Sequence, residues 1–347
     1  MTALKTSVGW EDRLTMEVEL KELLERIHAP VNGDLSNVRR DIQDLRKDQP
    51  KLLGELLEHV LGSPGKRLRP ALTLLASKLH TNGGDAARTM ATAVEVLHIA
   101  SLVHDDTVDN SYLRKGRGTV NRIWDRNTAV LVGDYLFGVS ATLVCGTGNI
   151  RVIRRFAQTV MDLSSGELAE IAATYDVSQT SEDYFNRIYH KTASLFSTAA
   201  ESGAILSGAS ASTSKIMRHY GRKVGLAYQI VDDMLDFETT DEEIGKSVGL
   251  DLANGIITLP IIIALERNGT GSEIAKFLRG NGKSENIGEA VAEVQEPKVL
   301  EACYQIASGL LSEAIECLTD IDPSPARDSL EELASYVIHR LTLLRGI

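Results

Sequence analysis

Residues 102–110 read LVHDDTVDN and residues 228–237 read YQIVDDMLDF, the same D-D-x-x-D spacing set twice among apolar neighbours. At about 100° per residue, positions i, i+1 and i+4 fall within roughly a 100° arc, so each triplet projects its carboxylates from one side of a helix. A lone triplet is commonly a solvated acidic face. The flanks argue otherwise here, because Val94, Leu97, Ala100, Leu102 and Val103 precede Asp105, Asp106 and Asp109, while Leu226, Ile230, Val231, Leu235 and Phe237 surround Asp232, Asp233 and Asp236. Carboxylates crowded on a largely buried helix repel one another and lose hydration, so they take up protons unless cations neutralise them. Oxygen donors select a hard ion. Mg2+ fits, since it binds through one or two carboxylates plus substrate phosphate oxygens. Two facing patches then suit a diphosphate whose charge grows as it departs. Adjacent aspartates can also work as an acid and base pair, but their repetition favours the metal.

Outward from these triplets the chain reads as helices. Met16, Leu20, Leu23, Leu24 and Ile27, then Val38, Ile42 and Leu45, then Leu52, Leu53, Leu56, Leu57, Val60 and Leu61 form three amphipathic stripes, with breaks at Pro30 to Gly33, Pro50 and Gly62 to Gly65. The same reasoning predicts helices over roughly 85–110, 127–145, 150–174, 181–208, 213–240, 254–267, 298–318 and 326–344. No segment alternates convincingly as a strand. Asn268 to Asn286, rich in Gly, Ser, Asn and charge, reads as a surface connection. The expectation is an all-α bundle in one domain, 1–347, with its ligand site in the core between facing helices.

Composition narrows the function. The 347 residues are 43% hydrophobic and 24% charged, enough apolar material for a sizeable core, and the formal net charge of −11 argues against a nucleic-acid binder. Phosphorylated substrates must therefore be held by local basic clusters or by metal. The chain shows neither a signal-peptide pattern nor an apolar run approaching a membrane span, so a cytoplasmic location is expected. Cys145, Cys303 and Cys317 are widely spaced in apolar surroundings and are expected to be buried, inert thiols.

Three basic clusters complete the pattern: Lys66, Arg67 and Arg69; Arg114 and Lys115, shortly after the first triplet; and His190 and Lys191. Arginine offers phosphate a bidentate fork and lysine a mobile point charge. With these in place the sequence resembles the trans-polyprenyl diphosphate synthases, the head-to-tail isoprenyl synthase family. PGKRLRP, LHIASLVHDDTVDNSYLRKGRGT, LVGDYLF, YHKTASLF, AYQIVDDMLDF and IGKSVGLDL carry the likeness in the family's order, with core motifs over 62–260.

The resemblance implies an isoprenoid-synthase-type bundle with a deep central cavity, Mg2+ as cofactor, and two substrates, isopentenyl diphosphate and an allylic diphosphate. Asp105, Asp109 and Asp232 would contact metal, with Asp106, Asp233 and Asp236 as further ligands or as support behind them, and these six with Lys191 would carry the catalysis. Lys66, Arg67, His98 and Lys115 would hold isopentenyl diphosphate, and Arg114, Lys191, Thr192, Gln229 and Lys246 the allylic diphosphate. Without the resemblance, His98 would pass for a satisfied helix histidine and Gln229 would be unremarkable; His104 is left as structural support. Two positions depart from the family: Lys115 stands where a second arginine is usual, and Ile256 where a lysine is common.

Ala100 and Ser101, one turn before the first triplet, are small where short-chain members tend to carry bulk, and Ala141 is small in the next helix. A growing chain would meet no floor there, so the product is expected to be long. The resemblance further implies a homodimer, and an insoluble product implies passing contact with a membrane surface. Two rivals remain open. A class I terpene cyclase shares the fold, but its second motif mixes Asn or Asp with Ser or Thr and Glu. A regulatory subunit of a heteromeric prenyl synthase would tolerate erosion of residues that are nearly all present here.

Overall fold

The computed structural model describes residues 10–63, 65–80, 83–238, 248–282 and 287–345. Helix α1 (Trp10–His28) leads through a 3-10 turn at Ala29–Val31 into α2 (Asn32–Asp44), followed by α3 (Lys51–Leu61), α4 (Leu68–Ser77) and the long α5 (Gly84–Val108). A hairpin of β1 (Leu113–Arg114) and β2 (Arg117–Gly118), then the short α6 (Val120–Ile123), connects α5 to α7 (Arg126–Gly146). Next come α8 (Ile150–Ala172), α9 (Ser181–Ile188), a π-helical turn at Tyr189–Ala193, and α10 (Ser194–Leu206). The rest comprises α11 (Ala211–Glu238), α12 (Leu250–Ala253), α13 (Leu259–Asn268), α14 (Glu273–Arg279), α15 (Ile287–Val294), α16 (Pro297–Cys317) and α17 (Pro325–Arg345).

Helix α10 sits in the middle, walled by α4, α5, α8 and α11. Its sequence, SLFSTAAESGAIL, is apolar or small except for Glu201, which pairs with Arg155 and Arg218, and is that of an enclosed helix. Small residues let neighbours approach: a Cβ on Gly203 would lie 2.1 Å from the Thr73 carbonyl oxygen, and one on Gly221 would lie 2.5 Å from that of Phe196. Two of its buried hydroxyls bond to backbone, Ser194 donating to the His190 carbonyl and Ser197 to that of Arg218, each at 2.9 Å, and Thr198 pairs with Thr159. Caps define several ends. Asp125 accepts from Thr128 N–H at 2.9 Å before α7, and Thr180 with Asp183 forms a capping box on α9. Helix α16 covers α11, and α1 lies along α17, where Arg26 pairs with Glu332 at 3.2 Å.

The all-α reading holds, with local differences. Helix α4 is an addition to the expected set, and every one of its residues but Arg69 is buried. The helix anticipated over 254–267 starts at Leu259, since Gly255 adopts φ +73° and Pro260 favours a first turn. The supposed connection after Asn268 contains α14, which buries Ile274, Phe277 and Leu278. Helices α5 and α7 are, by length and composition, apolar enough to span a membrane, contrary to expectation; α5 is mostly buried in the bundle. Helix α7 buries Ala129, Val132, Leu136, Ser140 and Val144 at helical spacing and lies on α5. Its other face is open, and Cys145 lies there, exposed rather than buried; Cys303 is buried as expected and Cys317 is half-buried.

Candidate active site

The first aspartate cluster ends α5, with Asp109 just beyond its last turn. Asp106 is buried and is grasped by Arg114, whose Nε lies 2.9 and 2.8 Å from its two oxygens and whose Nη2 lies 2.8 Å from Oδ1. This fork is presented by the β1–β2 turn, where Lys115 and Gly116 both take positive φ, 49° and 76°, as a two-residue hairpin requires. Asp106 therefore fastens the basic turn to α5. Asp105 and Asp109 stay free of such a clasp. Burial, then the nearby Glu167, pushes the Asp105 carboxyl up to about 8, and burial likewise raises Asp109.

Beside this turn a cavity of about 170 Å³ is lined by Arg67, His98, Arg114 and Lys115, with Ile99 and Val103 as apolar wall. Arg67 holds a left-handed conformation, φ 48°, at the start of α4 and lies 3.8 Å from the buried Glu95. Arg69, to which the sequence reading gave no separate role, lies with its guanidinium 4.4 Å from the centre of the Phe196 ring and donates from Nη1 to His98 Nε2 at 3.1 Å. Arginine can only donate, so His98 Nε2 accepts and the neutral ring carries its proton on Nδ1. Burial and then Arg69 hold His98 well below its ordinary value, which keeps it neutral. Arg114, expected with the allylic group, thus lines the same cavity as Arg67, His98 and Lys115, three of the four residues expected to hold isopentenyl diphosphate; the fourth, Lys66, does not line it.

The second cluster, on α11, is braced differently. Asp233 is buried and accepts from Tyr184 Oη at 2.6 Å and Gln229 Nε2 at 2.8 Å; Gln229 Oε1 in turn accepts from Thr192 at 2.6 Å. Burial pushes the Asp233 carboxyl up to about 7 against the pull of those hydrogen bonds. Asp236 accepts from the backbone N–H of Leu250 at 3.2 Å and of Asp251 at 3.0 Å, and so holds the start of α12. Asp232 pairs with Arg340 from α17.

Between the clusters lies the π turn that carries Lys191 and Thr192. It is squeezed from two sides: a Cβ on Gly166 of α8 would lie 2.5 Å from Lys191 N, and one on Gly225 of α11 would lie 2.6 Å from Ala193 Cα. π turns of this kind concentrate at functional sites. The Lys191 ammonium lies 3.1 Å from Glu167 and contacts Glu170, and Glu170 also lies 3.7 Å from Arg187. Burial opposes its charge, but Glu170 and Glu167 raise the amine above its ordinary range. Its charge reaches Asp105 and Asp109 on one side and Asp251 on the other. Asp109, Glu167, Glu170 and Ile256 line a second cavity of about 200 Å³, so the lysine replaced by Ile256 would have stood among carboxylates. Lys246 lies outside the described residues.

The donor set fits magnesium. Asp105, Asp109 and Asp232 offer carboxylate oxygens, and the raised Asp105 and Asp109 mark a site short of positive charge. Among the described residues no three acidic, histidine or cysteine side chains converge as around a bound ion. His104 serves α7 instead: its Nε2 lies 3.1 Å from the Val130 carbonyl, and a Cβ on Gly133 would strike its ring at 2.2 Å.

Sequence reasoning passed over Glu167, Glu170, Asp251 and Arg340. The first two read as the polar side of amphipathic α8, and only their i, i+3 spacing opposite Lys191 could have drawn notice. Ala100 is fully buried and Ser101 half-buried one turn before the cluster. Ala141 is exposed on the outer face of α7, because Ser140 takes the inward position and the next residue turns about 100° away. The expectation that it deepens a tunnel within this chain is corrected accordingly.

Residues 50–294 match the family model "Polyprenyl synthetase". The chain is 33% identical over 308 residues to the heptaprenyl diphosphate synthase component 2 of Bacillus subtilis, covering 88% of each. Among solved structures it resembles a decaprenyl diphosphate synthase from Rhodobacter capsulatus, with TM-score 0.85, 36% identity and coverage of 91% of this chain and 99% of that one. It also resembles a polyprenyl synthase from Caulobacter crescentus complexed with calcium and isoprenyl diphosphate, with TM-score 0.84, 31% identity and coverage of 91% and 97%. The two aspartate clusters thus sit in a helical bundle of known kind, and the chain belongs to the polyprenyl synthetase family as a prenyl-transferring enzyme of the long-chain diphosphate synthase type.

Proposed function

We propose that the enzyme uses Mg2+ to elongate an allylic diphosphate (geranyl, farnesyl or geranylgeranyl) with successive isopentenyl diphosphates, giving a long all-trans polyprenyl diphosphate. The observation that carries this reading is the π turn that links the two aspartate clusters, Lys191 acting on Asp105 and Asp109 and Thr192 reaching Asp233 through Gln229, with a separate basic cavity alongside. Lys191, Thr192, Gln229 and Lys246 hold the allylic diphosphate, and Lys66, Arg67, His98 and Lys115 hold isopentenyl diphosphate, with Arg114 lining the same cavity as Arg67, His98 and Lys115. Magnesium, when bound, neutralises charge on the departing diphosphate. Lys191, held by Glu167 and Glu170, exchanges them for phosphate oxygens as the allylic carbon–oxygen bond breaks. The isopentenyl double bond attacks the allylic cation, and an oxygen of the released diphosphate takes the proton that restores an alkene. Apolar walls such as Ile99 and Val103 keep water from the cation.

The buried Ala100 supports a long product, which would serve quinone or carotenoid-type isoprenoid synthesis in the cytoplasm, with passing membrane contact through the product. The open face of α7 and α8, with Leu131, Met161 and Leu168 more than half exposed, suits a second copy of this chain. A relative named as a component 2 favours a different subunit as the second candidate for that face. The test is incubation with magnesium, farnesyl diphosphate and labelled isopentenyl diphosphate, with and without chelator, followed by sizing of the dephosphorylated products. A magnesium-dependent ladder of long polyprenols is expected. Failure to incorporate label with any allylic primer, reversed only by a second protein, would return the chain to a partner-subunit role.

A further inference from the structure

Glu170 stands between two cations. One carboxylate oxygen, Oε1, contacts the Lys191 ammonium, and the other, Oε2, lies 3.7 Å from Nε of Arg187. Among the described residues these two are its ion-pair partners. The contacts are unequal. Lys191 donates a hydrogen bond to Glu170, whereas Nε of Arg187 is buried and has no hydrogen-bond acceptor, on a side chain only 4% exposed. A buried donor of a charged group that lacks an acceptor costs about 1–3 kcal/mol or more, so this nitrogen marks a contact that closes in another state of the molecule.

The rest of Arg187 is anchored. Nη1 donates to Gln179 Oε1 and Nη2 to the Ile257 carbonyl, and the guanidinium lies 5.7 Å from the centre of the Tyr184 ring. Ile257 follows Ile256, which lines the second cavity together with Glu170, so Arg187 ties that wall to α9. Arginine suits the place because its donors share one rigid plane: two of them fix the group while the third stays directed at Glu170. A movement of about 1 Å by the glutamate would bring Oε2 to the roughly 2.9 Å of an N–H···O hydrogen bond.

The reaction proposed above calls for such a receiver. When Lys191 turns to phosphate oxygens, Glu170 loses its closest cation in a place where its charge reaches Asp109, Asp233 and Asp251. A carboxylate released among carboxylates would draw the lysine back. We propose that Arg187 is a positioning residue for the transfer, taking the Glu170 carboxylate through Nε as Lys191 moves to the departing diphosphate, so that Glu170 is paired before and after. This rests on the function proposed above.

The experiment is a double-substitution cycle of wild type, Arg187→Gln, Glu170→Gln and the two together, with each substrate varied separately in steady-state assays and thermal melting of all four proteins. With Glu170 present, Arg187→Gln should raise KM for the allylic diphosphate about tenfold, the loss expected for one charge-assisted hydrogen bond, and leave KM for isopentenyl diphosphate within about twofold. In the Glu170→Gln background no carboxylate at that position competes for Lys191. There the same substitution should change the allylic KM by less than about twofold. A purely structural role would raise it in both backgrounds, and equal rises overturn the inference. So does an allylic KM within about twofold of wild type for Arg187→Gln alone. If the glutamine variant fails to melt cooperatively, Arg187→Lys, which keeps the charge and loses the Nε donor, is carried through the same cycle. Its expected rise of about threefold is confined to the background that retains Glu170, and equal values in both backgrounds overturn the inference. Absence of condensation by the wild type would instead overturn the function on which the inference rests.

Discussion

At the first aspartate cluster, Asp105 and Asp109 share the charge of Lys191 with Glu167 and Glu170 and feel Arg114 without being clasped by it; at the second, Asp233 and Asp236 each accept two hydrogen bonds, and Asp232 is paired with Arg340. The same five-residue motif therefore does two jobs. The first is an electrostatically unfinished site whose carboxylates await cations. The second is half a brace, with two of its three aspartates anchoring Tyr184, Gln229 and the start of α12, and one turned toward chemistry. Identical spelling places carboxylates on one side of a helix, but the neighbouring helices decide which of them remain free.

The sharpest way to break this contrast is substitution across it. Asp105→Asn should lower kcat by about 10³ or more, as expected when charge stabilisation at a departing group is lost, while the metal-free protein melts no lower than wild type because a crowded charge has gone. Equal loss of stability would erase the distinction. Asp233→Ala should behave oppositely, lowering the unfolding free energy in urea by roughly 2–4 kcal/mol, because Tyr184 and Gln229 lose their buried acceptor. Gly166→Ala tests the turn between the clusters: a methyl 2.5 Å from Lys191 N must displace the π turn, costing about 1–3 kcal/mol and raising KM for the allylic diphosphate.

A smaller effect follows from proton linkage. Asp105, raised to about 8, and Asp233, raised to about 7, hold protons in the folded chain that the unfolded chain has already released. The unfolded state binds fewer protons there, so stability falls as pH rises through that range. Between pH 6.5 and 8 the chelated protein should lose about 1–2 kcal/mol, and magnesium with pyrophosphate should flatten the slope. The window is bounded by opposite contributions: His98, held neutral, weakens the fold only as pH falls below its ordinary range, and Lys66, lowered to about 8 by desolvation and Arg340, stabilises above it. A rising thermal midpoint across the window would show that the first cluster is not short of positive charge. The subtlest prediction concerns product rather than rate: Ala100→Phe should shorten the chain released, read by sizing the polyprenols, and an unchanged length would remove Ala100 from the path of the growing product.

Much of this was legible before any coordinates. Amphipathic stripes place the long helices, and the aspartate and basic motifs place most of the site, because a stripe and a spacing are local properties. What escaped is what depends on a third partner. Glu167 and Glu170 look like solvent-facing residues until Lys191 is set opposite them, and Arg340 looks like surface charge until α17 is laid beside α11. Ala141 failed by one residue, since a 100° rotation separates a core position from an open face.

The π turn at Tyr189–Ala193 can be regarded as a phase shifter. One extra residue per turn advances the chain by about 100° relative to an uninterrupted α-helix. Helix α9 can thus point Tyr184 at Asp233 while α10, continuous with it, keeps its small residues against α4 and α11. Removing a single residue there would straighten the helix and put these two alignments out of register. For this enzyme, a deletion that shortens the chain by one residue should be harder to tolerate at this turn than a substitution at any one of its exposed helix positions.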